Sequence, residues 1–408
     1  MRRDDVVVTG LGAVSPAGIG VDATWQGLCA GVPTARTDPE LAGLPVDFSC
    51  AVDGFDPRTA LPRRASRVGR FVQFGVAAVR EALRDAGLDP AEWDADRVGV
   101  VMGVGASAMD GWLEQGAKVL EGRPETVSPL ALLRSIPNMA SAEIALAVTA
   151  RGPNLVTSTA CASGATAIGV ARDLIRSGTC DIVLAGGTEA PRAAVLTSVT
   201  FTQLTALSRR RDDPAGASRP FEADRDGFVL GEGAGVLVLE RAEHARGRGA
   251  VPLARLAGYG ASCDAYHVTA PCPDGVGTVR AMGAALADAG LGPGDVDHVN
   301  AHGTGTRLND LAEARAVRAL FPHDPPVTAP KSVIGHAIGG AGAIEAVASV
   351  LSLRYGLVPP TANYDRPDPE IDLDVVHKVP RPIPLMRTVL SNSCGFGGHN
   401  AALLFTAG

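Results

Sequence analysis

Short apolar runs, rich in Val, Leu and Ala and bounded by turn residues, recur along the chain at 6–8, 98–102, 154–158, 181–185, 235–239, 297–300 and 388–390. Between them lie Ala- and Leu-rich stretches at 71–86, 163–177, 279–289, 311–320 and 341–355. Strand-length runs with turn signals at both ends read as β-strands, and the longer stretches read as helices; within 163–177, Ala165, Ile168, Gly169, Ala171 and Leu174 keep a helical period. Their interleaving predicts α/β layers with mixed or parallel sheets. The charged, glycine-rich segment from Arg241 to Ala250 is read as the junction between an N-terminal half, 1–245, and a C-terminal half, 246–408. Each half contains a strand, a glycine-rich turn and an Ala-rich helix, without a residue-level repeat that would prove duplication. The polar connection at 206–228 is longer than structureless loops in compact proteins usually are, which marks it as functional or mobile.

Composition narrows the picture. Hydrophobic residues make up 46% of the 408 positions but aromatics only 4%, so the interior is filled by small and aliphatic side chains that allow close packing. A net charge of −7 argues against a nucleic-acid binder, which needs an accumulated basic surface. Seven cysteines, at 29, 50, 161, 180, 263, 272 and 394, are odd in number and lack CxxC spacing, so neither a disulfide framework nor a zinc site is expected. No apolar stretch has the length of a membrane span or of a signal-peptide core, and a soluble cytoplasmic protein is expected.

Three loops carry candidate chemistry. Thr157 to Gly164 joins the strand at 154–156 to the helix beginning at 163, placing Cys161 at a strand-to-helix elbow where free backbone N–H groups favour a thiolate and the oxyanion of an attacked thioester. Asn300 to Thr306 follows the strand at 297–299 and puts His302 in a loop of Gly and Thr. Lys331 to Gly342 puts His336 just before a glycine-rich helix start. For an isolated cysteine or histidine the ordinary assignment is a buried small hydrophobe or a loop residue. Only three of the 37 basic residues are lysine (Lys118, Lys331, Lys378), so retaining a compact ammonium at 331 suggests a specific partner, for which Asp310 and Glu313 are candidates. The loop Ser391 to Asn400 is rich in glycine, which permits close backbone approach to a ligand.

In their order and spacing the Cys161 elbow, the two histidine loops, Lys331 and Gly395-Phe396-Gly397-Gly398 resemble the β-ketoacyl-acyl carrier protein synthase II family, the elongating condensing enzymes of the thiolase superfamily. The resemblance runs from Val6 to Phe405 and includes Arg219-Pro220-Phe221 and Asp226 to Gly233. It implies a thiolase-like five-layer αβαβα fold with two related halves, normally a homodimer. It further implies that Cys161 takes an acyl chain from acyl carrier protein, while His302 and His336 promote malonyl decarboxylation. Lys331 would organise the histidines, Asp310, Glu313 and Glu345 would support them, and Phe396 would gate the site. Thr304 and Thr306 would hold the pantetheine arm, with Phe201, Gly395 and Trp112 lining the acyl pocket, Trp112 at its far end. Arg63, Arg64, Arg67 and Arg70 lie where such enzymes dock the acidic carrier protein. No redox cofactor or metal is implied. Cys394 departs from the aromatic residue usual at its position. The alternative within the same chemistry is the ketosynthase subunit of a type II polyketide synthase paired with a non-catalytic chain-length partner. That partner itself, and the acetyl-CoA-primed synthases and thiolases, fit less well, because Cys161, His302, His336 and Lys331 occur together.

Overall fold

The computed structural model describes residues 5–61, 68–106, 110–131, 136–193 and 195–408. In the first half, strands β1 (Val6–Ser15), β2 (Val98–Gly103), β3 (Asn154–Thr157), β4 (Ile182–Glu189) and β5 (Gly233–Arg241) lie side by side in the order β1-β5-β4-β2-β3. In the second, β6 (Ala254–Cys263), β7 (His298–Asn300), β8 (Val327–Thr328), β9 (Thr388–Gly395) and β10 (His399–Thr406) lie in the order β6-β10-β9-β7-β8. Counted from the first strand of each set, the two orders are the same. In both sets the second, third and fourth strands run parallel, and the fifth is antiparallel to its two neighbours. The sets meet where Val7 and Val8 pair with Arg255 and Ala254, forming one continuous sheet.

The principal helices are α1 (Arg70–Ala86), α2 (Asp110–Leu120), α3 (Met139–Val148) and α4 (Ser163–Arg176) in the first half, and α5 (Val276–Ala289), α6 (Arg307–Leu320) and α7 (Ile338–Tyr355) in the second. α1 and α3 cover one face of the first strand set, and α5, backed by α6, covers one face of the second. α4 and α7 lie between the two sets and touch both, completing five layers. A central helix must bury every side: in α7 each residue from Ile338 to Leu353 is buried, which its Gly, Ala and Ser content permits at close interlayer distance. α1 carries an apolar stripe that includes Phe71, Phe74, Ala78 and Ala82, and it ends at Gly87, whose left-handed backbone returns its N–H to the carbonyls of Leu83 and Arg84.

Glycine sets the distance between layers. A Cβ on Gly10 or Gly12 of β1 would stand 2.2 Å from the carbonyl oxygen of Ala82 or 1.8 Å from that of Ala78 in α1. The second half repeats this seam: a Cβ on Gly258 or Gly260 of β6 would stand 2.0 Å from the carbonyl oxygen of Ala285 or Ala281 in α5. These glycines also explain why the apolar pattern underestimates the strands. It predicts 6–8 alone, whereas β1 continues to Ser15, with all ten residues buried between neighbours on both sides. It also misses β6, β8 and β10, of which only β6 is broken by glycine. The 206–228 connection is not a surface loop throughout, since Phe221, Arg225 and Phe228 are buried. Among the described residues no helix is long and apolar enough to cross a membrane.

Candidate active site

The parallel strands of both halves end on one side of the molecule, the usual place for chemistry in α/β sheets. There a cavity of about 440 Å³ is lined by Cys161, His302, His336, Phe201, Phe228 and Phe396, among others. Thr304, Thr306, Cys394 and Gly395 also reach its wall. The three chemistry-bearing side chains expected from the sequence therefore face one space, although they come from three separate segments.

After β3 the chain turns through Ala160, whose φ of 50° is unusual for a residue with a Cβ, into a single turn that carries Cys161 to the start of α4. Ser163 braces this elbow: its hydroxyl accepts from the Thr159 N–H at 2.9 Å and donates to the Ala160 carbonyl at 2.6 Å. Burial pushes the Cys161 thiol up to about 11, outweighing the Lys331 ammonium and the Phe396 N–H, which favour the thiolate. Burial at this elbow thus works against the thiolate that the helix start, Lys331 and the Phe396 N–H favour. Gly395 lies against it, since a Cβ there would stand 2.5 Å from the Thr159 carbonyl oxygen.

The second-half loops are held by buried charge. Lys331 Nζ lies 2.6 Å from the His302 carbonyl oxygen, 3.2 Å from His302 Nδ1 and 2.5 Å from Glu345 Oε1. An ammonium can only donate, so Nδ1 of His302 accepts and the ring proton resides on Nε2. The His302 and His336 rings meet edge to face with centroids 5.3 Å apart. Burial lowers both imidazoles well below their usual value; Lys331 lowers both further, and His336 also lowers His302. Both rings are thus neutral at neutral pH. Among the described residues, both ring nitrogens of His336 are buried without a hydrogen-bond partner.

The carboxylate partner of Lys331 is Glu345, not Asp310 or Glu313, which corrects the pairing expected from sequence. Those two carboxylates are occupied by the His302 loop itself. Glu313 accepts from the N–H groups of His302 at 2.7 Å and Gly303 at 2.8 Å, and from Asn392 Nδ2 at 2.6 Å. Asp310 accepts from the N–H groups of Phe221 at 2.9 Å and Thr304 at 3.1 Å and faces Arg225 Nε at 3.6 Å. Burial raises Glu345 to about 7, with Lys331 pulling it down and Glu313 adding to the rise.

Other expected residues fall in different places. Thr304 and Thr306 share a hydroxyl hydrogen bond of 2.9 Å at the cavity wall. Phe201 packs edge-on against Phe228, centroids 5.2 Å apart, and Phe228 packs edge-on against His336 at the same distance. The Cys394 sulfur lies 3.5 Å from Thr278 Oγ1 and 3.6 Å from Asn392 Nδ2, which fills the space behind the Phe396 loop with polar contacts. Trp112 is 52% exposed on α2 and, among the described residues, is not part of the cavity wall, so its expected place at the pocket's far end is corrected. Its helix lies on the surface of the single chain. Arg63, Arg64 and Arg67 lie outside the described residues. Arg70 turns inward: its Nε and Nη2 grip the buried Glu232 at 3.0 and 2.8 Å, and its guanidinium lies 4.7 Å from the Phe74 ring centre, so it is not a free docking cation.

Sequence reasoning missed Glu189, Arg225 and Asn392. The signal for Glu189 was a carboxylate closing the run Ile182 to Thr188, since a charge at the end of a buried strand needs dedicated partners.

Comparisons with known proteins place the chain in a family. The family model "Beta-ketoacyl synthase, N-terminal domain" matches residues 3–245, and "Beta-ketoacyl synthase, C-terminal domain" matches residues 253–365. The 3-oxoacyl-[acyl-carrier-protein] synthase 2 of Synechocystis sp. is 44% identical over 99% of this chain and 98% of its own length. A beta-ketoacyl synthase structure from Burkholderia phymatum superposes with a TM-score of 0.93 at 35% identity, covering 99% of both chains. The ishigamide ketosynthase/chain length factor structure superposes with a TM-score of 0.90 at 36% identity, covering 100% of both. With both domain models spanning most of its length and a full-length relative at that identity, this chain belongs to the beta-ketoacyl synthase family.

Proposed function

We propose that the chain is a 3-oxoacyl-acyl carrier protein synthase, an acyltransferase that lengthens a carrier-bound acyl chain by decarboxylative Claisen condensation. The observation that carries this reading is the meeting of Cys161, His302 and His336 in one cavity, with Lys331 behind His302. In the first step the Cys161 sulfur attacks the acyl thioester carbonyl. The carbon–sulfur bond to pantetheine breaks, and the thiol proton leaves with the departing pantetheine sulfur. Backbone N–H groups of Cys161 and Phe396 hold the tetrahedral oxyanion. In the second step malonyl thioester loses carbon dioxide, and the electron pair of the broken bond becomes an enolate. Neutral imidazoles serve here as hydrogen-bond donors: Nε2–H of His302, its tautomer fixed by Lys331, together with His336, steadies the enolate oxygen. The enolate carbon then attacks the thioester on Cys161, the carbon–sulfur bond breaks, and the departing Cys161 thiolate takes a proton from solvent. Loss of carbon dioxide supplies the carbanion, so the balance calls for no redox cofactor or metal.

In this reading the substrates arrive on the phosphopantetheine arm of an acidic carrier protein, with Thr304 and Thr306 gripping the arm and Arg63 and Arg67 contributing to docking. The protein works in the cytoplasm as a homodimer, in primary fatty acid elongation or a related specialised pathway. The likeness to the ishigamide ketosynthase/chain length factor structure supports a second reading, a ketosynthase subunit that works beside a chain-length partner. Incubation with a panel of acyl-loaded carrier proteins and malonyl carrier protein tests the function: a Cys161 adduct and a product two carbons longer are expected, and absence of both rejects it. The native mass of the chain expressed alone separates homodimer from obligate heterodimer.

A further inference from the structure

Strand β4 ends at Glu189, a carboxylate with no exposed surface. A single oxygen of it, Oε2, accepts three backbone N–H groups: Gly105 at 2.7 Å, Ala106 at 3.0 Å and Gly339 at 3.1 Å. The first two belong to the segment that leaves β2 in the first half. The third lies at the start of α7, three residues after His336. The junction is close, since a Cβ on Gly339 would stand 2.4 Å from the Gly105 nitrogen and one on Gly105 would stand 2.9 Å from Glu189 Oε2.

Between His336 and Gly339 the backbone is strained. Ile338 has a φ of 39°, a conformation that β-branched residues avoid because Cβ crowds the adjacent carbonyl. Its side chain packs in the same buried cluster as Cys161, Phe228 and Leu230. Such strain persists only where the surroundings over-determine it. The bond from Gly339 to Glu189 is the restraint next to it, and the backbone pairing of His336 with Val229 and Gly231 is the restraint on the other side.

We propose that Glu189 is a positioning residue for the condensing reaction: by gripping Gly105, Ala106 and Gly339 at once it fixes the strained Ile338 turn, and with it the place of His336 relative to Cys161. The inference rests on the function proposed above. The same carboxylate adds, after burial, to the upward push on the Cys161 thiol, so its reach and its charge have separable effects.

Two variants separate them. Glu189→Asp keeps the charge and loses the reach. Its decarboxylation of malonyl carrier protein is expected to fall on the order of 100-fold, the scale of a ~1 Å misplacement of a reacting group. Alkylation of Cys161 by iodoacetamide should keep the wild-type pH midpoint. Glu189→Gln keeps the length and loses the charge, so its alkylation midpoint should move to lower pH while decarboxylation falls less than in Glu189→Asp. Unchanged decarboxylation in folded Glu189→Asp overturns the proposal. A parallel loss of decarboxylation and alkylation in both variants, or failure of both to fold, overturns it too, because the carboxylate would then serve the fold and not His336. If the wild type neither loads Cys161 nor decarboxylates malonyl carrier protein, the condensing function falls and this proposal with it; an active wild type beside fully active variants sinks the proposal alone.

Discussion

The two halves share a frame and differ in what they hang on it. Both lay their strands in the same order, and both press a pair of glycines on the first strand, Gly10 and Gly12 or Gly258 and Gly260, against alanines four apart on an outer helix. At corresponding loops the residues diverge. The link from third strand to central helix carries Cys161 in one half and Lys331 with His336 in the other. The loop after the second strand carries Gly105 and Ala106 in one and His302 in the other. The fourth strand ends at Glu189 in one and at Gly395, just before Phe396, in the other. The surroundings differ as well: a largely apolar wall raises the Cys161 thiol, whereas the second half buries Lys331, Glu345, Glu313 and Asp310 around its histidines. A repeated frame thus fixes where reactive loops converge, and local residues divide the labour between a nucleophile and the groups that steady charge.

That division can be broken at each half in turn. Cys161→Ala should abolish the acyl adduct and lower condensation on the order of 10⁴-fold or more, the scale of deleting a nucleophile. Decarboxylation of malonyl carrier protein, the work of the second half, should survive; parallel assays of adduct mass and carbon dioxide release check this, and loss of both would erase the contrast. Lys331→Met removes the cation that holds Glu345 down, so the buried carboxyl, already raised to about 7, takes up a proton at neutral pH and its ionisation opposes folding as pH rises; breaking such a pair costs up to about 3–5 kcal/mol. Urea unfolding at pH 8 and above should record the loss, and adding Glu345→Gln should recover part of it by removing the ionisable group; no recovery would mean that Lys331 stabilises through other contacts.

A third test uses acid. Burial lowers His298, at the start of β7, from 6.5 to about 4. The unfolded chain therefore binds a proton that the folded chain refuses between those values, so this contribution is complete above about pH 6.5 and is lost as pH falls toward 4, by about 3 kcal/mol. Glu345, raised to about 7 in the fold from 4.5, acts in the opposite sense over pH 4.5 to 7. The difference between wild type and His298→Asn isolates the histidine: the variant should lose less stability on acidification, and parallel curves would reject the assignment. The smallest effect sharpens the shared frame. Gly10→Ala and Gly258→Ala should each destabilise by about 1–3 kcal/mol through overpacking. Clearly unequal melting shifts would show that the two seams are alike in geometry alone.

Much of the site was legible because its chemistry sits at strand ends, where sequence grammar is strong: an apolar run, small turn residues, a reactive side chain, then a helix. What the sequence hid was decided by folding. Asp310 and Glu313 stand at helical spacing beside the His302 loop and looked free for Lys331, but that loop's own N–H groups consume them, leaving Glu345, on the helix that follows Lys331, as the ion partner. The duplication was hidden for a related reason. Its residue-level trace is two glycines on each first strand, and glycine in a strand reads as interruption until the helix pressed against it is seen. β6 was overlooked on those grounds, although Gly258 and Gly260 are what admit its helix.

The raised thiol at the Cys161 elbow carries a consequence for survival in a cell. Peroxides and stray electrophiles react with the anionic form of sulfur, so a cysteine kept in its protonated state inside the protein offers them little to attack. The same burial that disfavours the anion should slow such reagents at Cys161 in the empty chamber, whereas a thioester cargo brings its own leaving group.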